Sequence, residues 1–239
     1  MRLSRRLLLM GAGAMAAGIN PSAAAPAPKL LRVVLVGDST VAVTSGWGTG
    51  FMRYVSESAV CLDLARGGRS SKSFIDEGHW KNALAEHPDY VLIQFGHNDQ
   101  PGKGPERETD PATTFPDYLR RYVDEARAAG AKPILVTSLT RRTFRDGKLA
   151  DSLGPYAEAT RKVAAEKGVP LIDLYARSTE LVEKLGSKGV EELEPPNPDG
   201  KPGLDHTHLN ARGADVFGRL VAEELRKVEP TLGKYVRLP

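Results

Sequence analysis

Cysteine is almost absent from this sequence. The single cysteine among 239 residues, Cys61, allows no disulfide within the chain, so a packed core must supply the stability. It lies in an apolar run, where a buried and chemically inert thiol is expected. One cysteine and five histidines also lack the paired spacings of a structural zinc site. Disulfide-stapled modules and zinc fingers are therefore excluded.

Hydrophobic runs long enough to cross a bilayer are missing too. The apolar run Leu7–Gly18 covers about 12 residues, whereas a membrane-spanning helix needs roughly 20. Three arginines precede this run and four small residues follow it: Arg2, Arg5, Arg6 and Ser22–Ala25. That order is typical of a secretory signal peptide, and Ser4–Leu8 resembles a twin-arginine export signal.

We therefore expect residues 1–25 to direct export and residues 26–239 to form one secreted or periplasmic domain. An uncleaved membrane anchor is the alternative. Residues 1–25 also explain the net charge of +3, because they include three of the 33 basic residues and none of the 30 acidic ones. A domain without net charge lacks the basic surplus of nucleic-acid-binding proteins. We expect neither a nucleic-acid partner nor stable membrane insertion after cleavage.

Short apolar runs alternate with segments of helical spacing along the rest of the chain. The five runs are Leu31–Val36, Ala59–Leu64, Tyr90–Phe95, Pro133–Leu139 and Val169–Leu174. Helical spacing marks the segments near Phe51–Val55, Phe74–Glu86, Phe115–Ala129, Tyr156–Glu166 and Ala211–Val228, the last with Asn210 as its N-cap. Continuous apolar runs of this kind suit strands buried on both faces of a sheet. The pattern predicts a single α/β domain of three layers around a parallel sheet.

Chemically useful residues follow the strands. Gly37–Ser39 comes after the first, Gly67–Ser70 after the second, Gly96–Asp99 after the third, and Asp205–His208 just before the last helix. Ligands of open parallel sheets bind outside the carboxyl ends of the strands. We expect these four segments to converge at that edge.

Their residue types point to a serine hydrolase. A serine hydroxyl becomes a nucleophile when a base takes its proton, and His208 is the candidate base for Ser39. Asp205, three residues earlier, can hold the imidazole in one tautomer. The backbone N–H groups of Ser39 and Gly68 and the Asn98 amide are candidate oxyanion donors. No metal or other cofactor is expected.

Taken together, these motifs resemble the SGNH (GDSL) hydrolase superfamily from about Leu31 to Leu225, and within it the rhamnogalacturonan acetylesterases. The stretches that carry the resemblance are Gly37–Thr40, Gly46–Gly48, Gly68–Ser70, Phe95–Asp99, Thr114–Pro116 and Asp205–His208. The resemblance implies a flavodoxin-like sheet of order 2-1-3-4-5 and hydrolysis of acetyl esters on pectic polysaccharide. It also implies Ser39, Asp205 and His208 as the catalytic residues. Asp63 departs from the asparagine common at that place, which bears on loop detail more than on catalysis.

Four side chains near the motifs are candidate substrate-binding residues: Trp47, Arg69, His97 and Arg141. Trp47 is expected in the wall beside Ser39. Cations cluster near the second and fourth strand ends, at Arg66, Arg69, Lys72, Arg141 and Arg142. They form either an ordinary solvated surface or a site for galacturonate carboxylates.

The sequence thus predicts a monomeric serine esterase acting on an acetylated polysaccharide. The alternatives are another ester hydrolase of the superfamily, such as a xylan acetylesterase, lipase or thioesterase, and a non-catalytic carbohydrate-binding protein. A metal site at His206 and His208 and a dinucleotide loop at Gly46–Gly50 are weaker interpretations, because a third separated ligand and the full glycine spacing are missing.

Overall fold

A parallel sheet of five strands forms the centre of the fold. The computed structural model describes residues 30–150 and 152–239, apart from the side chain of Asp199. The sheet contains β1 (Leu31–Gly37), β2 (Ala59–Asp63), β3 (Tyr90–Gln94), β4 (Lys132–Val136) and β7 (Leu171–Ile172), in the order β2-β1-β3-β4-β7. Since β7 is the fifth strand of this sheet, the expected order 2-1-3-4-5 is confirmed. A small hairpin, β5 (Phe144–Arg145) with β6 (Lys148–Leu149), lies outside it.

Helices cover both faces of the sheet. They are α1 (Gly48–Met52), α2 (Ser71–Asp76), α3 (His79–Ala85), α4 (Thr114–Ala128), α5 (Gly154–Lys167), α6 (Leu174–Val190), α7 (Ala211–Val228) and α8 (Pro230–Gly233). Alternate residues of β1 enter different cores: Val33 and Leu35 pack with α1, α6 and α7, while Val34 and Val36 pack with α2 to α5. The three-layer α/β domain is therefore confirmed. No helix within residues 30–150 and 152–239 is long and apolar enough to span a bilayer.

Two helix predictions differ from the structure. The segment predicted as one helix from Phe74 to Glu86 is two helices, because Gly78 between them adopts φ +80°. The helix α6 was not predicted. The last helix agrees with its prediction, and the Asn210 side chain accepts a hydrogen bond from Gly213 N at 2.9 Å.

Close packing of α1 against α7 positions the end of the chain. A Cβ placed on Gly50 would clash with the Ala214 carbonyl, and one on Gly218 would clash with the backbone of Phe51. Glycine at both positions thus allows the two backbones to touch. This contact brings the loop before α7 next to the loop after β1.

Asp63, at the end of β2, supports a prediction about stability and pH. Its Oδ1 accepts a hydrogen bond from Ala65 N at 3.0 Å, whereas its Oδ2 is buried without a partner among the described residues. Burial raises the pKa of Asp63 to about 7, against the opposing effects of the Ala65 bond and Arg66. Ionisation of Asp63 should therefore lower the free energy of unfolding as pH rises from about 4 to 7, and this loss should persist at higher pH. Asp63→Asn should raise the free energy of unfolding at pH 8 by about 2–4 kcal/mol and change it little at pH 4.

Denaturant unfolding at both pH values measures this difference. Asp146→Asn is the matched control, since Asp146 is exposed at φ +50°, a conformation that asparagine tolerates. An equal effect of Asp63→Asn at pH 4 and pH 8 would contradict the inference that the ionised Asp63 carboxylate destabilises the fold.

Candidate active site

Ser39, His208 and Asp205 form a continuous hydrogen-bonded line. The Ser39 hydroxyl lies 2.8 Å from His208 Nε2, and His208 Nδ1 lies 2.6 Å from Asp205 Oδ2. This is the geometry in which an imidazole can take the serine proton while a carboxylate stabilises the resulting cation. All three predicted residues are brought together, although Ser39 and His208 are 169 positions apart in sequence.

The Asp205 carboxylate also organises its own turn. Its second oxygen accepts from the backbone N–H of Thr207 at 2.8 Å and of His208 at 3.1 Å. Burial alone would raise the pKa of Asp205, but the hydrogen bonds from the His208 ring and these two N–H groups outweigh it and lower the pKa. The carboxylate is therefore ionised at neutral pH, as an orienting group for His208 must be.

The loop that carries Ser39 is held from both sides. Asp38, fully buried, accepts from the Thr40 backbone N–H at 2.8 Å and from its hydroxyl at 2.7 Å. The Ser45 hydroxyl donates to the Ser39 carbonyl at 2.7 Å, and Leu209 N donates to the Ser45 carbonyl at 2.9 Å. The last of these bonds ties the nucleophile loop to the segment that follows His208.

The segment that carries Gly68 lies beside the Ser39 loop: a Cβ on Gly67 would lie 3.6 Å from Ser39 Cβ, and Arg66 N donates to the Gly37 carbonyl at 2.9 Å. Within the described residues, no hydrogen bond uses the backbone N–H of Ser39 or Gly68. The Asn98 amide donates to the Arg69 carbonyl at 3.1 Å, which fixes its orientation. Gly68 adopts φ +78°, and no heavy atom lies within 4 Å of the point where its Cβ would be. Glycine is needed there for its backbone conformation and not for lack of space.

Asp99 braces the loop after β3. This buried carboxylate accepts from the backbone and side chain of Ser71, from Gly96 N and from the Thr109 hydroxyl. The Tyr156 hydroxyl lies 3.0 Å from the Asp99 carbonyl. The loop that presents Asn98 is thereby fixed to two other parts of the chain.

A buried ion pair behind the triad was missed at the sequence level. Arg142 and Glu194 pair at 3.0 Å, and neither side chain is exposed. Arg142 also donates to the carbonyl of His208 at 2.6 Å through Nη2 and to that of His206 at 2.9 Å through its backbone N–H. The other Glu194 oxygen lies 2.9 Å from His206 Nδ1. The interpretation of Arg142 as a solvated or substrate-facing cation is wrong, because the pair fixes the His208 loop from inside.

Two of the candidate substrate-binding residues are also buried. Trp47 is 0% exposed, and its indole N–H donates to Gln94 at 2.8 Å, so its ring is part of the core and not a wall open to substrate. His97 is 2% exposed and lies 3.6 Å from Asp38. Burial holds the pKa of His97 below its usual range, although Asp38 opposes this. Both predictions of substrate contact are contradicted by burial.

The other two candidates remain accessible. The exposed Arg69 guanidinium is already paired with Glu77 at 2.8 Å. Arg141 is half-buried and bonds two neutral groups, the Thr207 hydroxyl and, at 3.0 Å, the Gln100 carbonyl oxygen. No carboxylate among the described residues forms a direct ion pair with Arg141, although burial lowers its pKa against the attraction of the Asp38 and Asp205 carboxylates. Its guanidinium can therefore still form an ion pair with an anion beside His208.

The side chains of His206 and His208, considered above as metal ligands, have different hydrogen-bond partners. They bond to different carboxylates, Glu194 and Asp205. In the described part of the chain, no three His, Cys, Asp or Glu side chains are grouped as metal ligands.

Known proteins match this chain over most of its length. A family model described as the GDSL-like Lipase/Acylhydrolase family matches residues 35–216. Rhamnogalacturonan acetylesterase RhgT of Bacillus subtilis (strain 168) is 40% identical over 219 residues, covering 84% of this chain and 91% of that protein. The rhamnogalacturonan acetylesterase of Emericella nidulans is 30% identical over 217 residues, covering 80% and 83%.

Two solved structures share the fold. Protein YxiM from Bacillus subtilis superposes with a TM-score of 0.70 at 27% identity, over 83% of this chain and 57% of that one. Axe2, an acetylxylan esterase from Geobacillus stearothermophilus, superposes with a TM-score of 0.60 at 17% identity, over 87% and 97%. At that identity, the second likeness shows the fold alone.

Proposed function

Because this chain belongs to the GDSL-like lipase/acylhydrolase family and is a carboxylic ester hydrolase, we propose that it is an exported serine esterase that removes acetyl groups from a pectic polysaccharide. The family expected from the motifs is confirmed. The observation that carries the proposed mechanism is the line from Ser39 through His208 to Asp205. The pectic substrate is supported by the names of the two relatives described above.

The proposed reaction has two halves. Ser39 Oγ attacks the acetyl carbonyl as His208 Nε2 takes its proton, and the tetrahedral oxyanion is stabilised by Ser39 N, Gly68 N and the Asn98 amide. Collapse breaks the ester bond, and the sugar oxygen leaves with the proton from His208. Water then attacks the acetyl-Ser39 ester, with His208 as base again, and acetate is released.

Export and a monomeric state remain predictions. The signal-peptide segment, residues 1–25, lies outside the described residues. Its arginines, short apolar run and small residues are the reasons for proposing cleavage and a secreted or periplasmic location. Mass spectrometry of the secreted protein tests the cleavage, and its sedimentation tests the oligomeric state.

Arg141 favours an anionic polymer over a neutral one. Burial and the neighbouring cations Arg141 and Arg107 lower the pKa of Lys103, so Lys103 and Arg141 lie within electrostatic reach of one another. A uronate carboxylate beside the acetylated hydroxyl would be attracted here.

Arg141→Gln should therefore raise KM for acetylated rhamnogalacturonan about tenfold, while KM for acetylated xylan and p-nitrophenyl acetate changes little. Acetate release from the three substrates measures this. Arg219→Gln, which removes an exposed cation on α7 whose ion-pair partner is Glu223, is the control. Equal losses on all three substrates would show that Arg141 supports the Thr207 turn and does not select the substrate.

The same substrates test the proposed function. Wild-type protein should release acetate from acetylated rhamnogalacturonan with a higher kcat/KM than from acetylated xylan, and should not hydrolyse long-chain esters. A preference for xylan or for long acyl chains would favour the other ester hydrolases of the family. Failure of a fluorophosphonate to label Ser39 in the folded protein would favour a non-catalytic carbohydrate-binding protein.

A further inference from the structure

A cleft opens beside the loop that presents Asn98. Its volume is about 550 Å³, which lies within the ~300–1,000 Å³ of small-molecule sites. One wall is the segment that follows Asn98, and the other is the start of α5. None of the groups assigned to the reaction lines it.

The cleft lies next to the reacting centre. Gln100 lines it and follows Asn98 by two residues, so their Cα atoms are no more than about 7 Å apart. Gln100 also accepts a hydrogen bond from Arg141 and donates one to the Ser152 carbonyl on the opposite wall. The cleft therefore begins within about 7 Å, measured between Cα atoms, of Asn98, one of the three proposed oxyanion donors.

The walls of the cleft are fixed without a ligand. The Tyr156 hydroxyl lies 3.0 Å from the Asp99 carbonyl and 2.9 Å from the Thr109 carbonyl. Glu108 accepts from the backbone N–H groups of Gly102 and Gly104, both at 2.8 Å. A cleft held open in this way loses little conformational entropy when it is filled.

The chemistry of the lining selects against an anion. The lining includes three prolines, Tyr156 and several neutral polar groups, with two carboxylates, Glu108 and Asp110, and no Lys or Arg. Carboxylates would repel a uronate, while they and the hydroxyls of Thr114 and Ser152 can bond sugar hydroxyls. The proline surfaces suit the C–H face of a sugar ring, while Tyr156 is buried and supports the wall through its hydroxyl.

We propose that this cleft binds a neutral sugar residue of the same polysaccharide whose acetylated residue lies at Ser39. The proposal rests on the proposed function and deepens it: Arg141 faces the anionic unit, and the cleft takes the uncharged unit beside it. Substrate recognition would then require a charged sugar and a neutral sugar side by side.

Filling the cleft tests the proposal. Ser152→Trp, just before α5, and Thr114→Trp, at the start of α4, place an indole in the cleft from two different segments, because both residues line it and are exposed. Each should raise KM for acetylated rhamnogalacturonan oligosaccharides about tenfold or more and leave p-nitrophenyl acetate hydrolysis within twofold of wild type. Lys162→Trp, on the exposed side of α5 and outside this cleft, is the matched control.

A carboxyl-reduced form of the same oligosaccharides separates this site from Arg141. On that substrate the two Trp variants should keep their KM defect, whereas Arg141→Gln should lose most of its defect. Trp variants that slow the small ester as much as the polymer would show damage to the Asn98 loop, and Trp variants without effect would show an unused cleft; either result overturns the proposal. Absence of acetate release from every polymer by wild-type protein would instead refute the proposed function.

Discussion

Ser39→Ala should lower the rate of p-nitrophenyl acetate hydrolysis by about 10⁴-fold or more and leave the fold intact. The substitution removes only the oxygen that lies 2.8 Å from His208 Nε2. Without it no acyl-enzyme forms, and the oxyanion donors alone can assist only direct attack by water. Because the Ser39 hydroxyl makes no other hydrogen bond within the described residues, the thermal midpoint should change by no more than a few degrees.

Two readouts separate lost chemistry from lost structure. A fluorophosphonate probe should label wild-type protein and Ser58→Ala, a matched control at an exposed serine, but not Ser39→Ala. Circular dichroism should be the same for all three. Labelling of Ser39→Ala, or retention of more than about 1% of the activity, would contradict the assignment of the nucleophile.

Arg142→Met should be the most damaging substitution away from the triad. It leaves Glu194 buried without its arginine and with only the His206 ring beside it among the described residues, and breaking a buried ion pair in this way costs about 3–5 kcal/mol of stability. It also removes the bond to the His208 carbonyl, so kcat should fall at least about tenfold with KM nearly unchanged. Arg142 is a positioning residue here, since it acts through the backbone of His208.

A double variant distinguishes positioning from simple stability. Arg142→Met with Glu194→Leu removes both charges and should recover most of the lost stability. It should not recover kcat, because nothing replaces the bond to His208. The downfield proton resonance of the His208–Asp205 hydrogen bond should be weaker than in the wild type in both the single and the double variant. Recovery of kcat together with stability would mean that the pair contributes to folding alone.

The sequence was sufficient to predict what depends on local pattern. The residues after the first three strands placed Ser39, Gly68 and Asn98 at one edge of the sheet, and the position of the Asp205–His208 turn before the last helix placed it at the same edge. Helix ends with strong signals, such as Asn210, were predicted correctly for the same reason. These features follow from short-range spacing and from the geometry of parallel sheets.

What could not be predicted depends on contacts between distant segments. Trp47 and His97 carry groups that suit a sugar or an ester, and only their 0% and 2% exposure removes them from the substrate surface. Arg142 is adjacent to Arg141 in sequence, yet one lies in the core and the other beside the triad. Glu194 lies in a Pro- and Gly-rich stretch with no signal of burial. The role of Glu194 in the ion pair depends on Arg142, which is 52 positions away in sequence.

The packing of α7 on α1 also determines when the active site is completed during synthesis. Synthesis proceeds from the N terminus, so Ser39 leaves the ribosome early, whereas His208 and the helix that docks it come near the end. Until α7 settles against Gly50, Ser39 has no base beside it and is an ordinary alcohol. A nascent chain or one truncated before residue 205 therefore carries a nucleophile that cannot be acylated, and reactivity arises only in the finished domain.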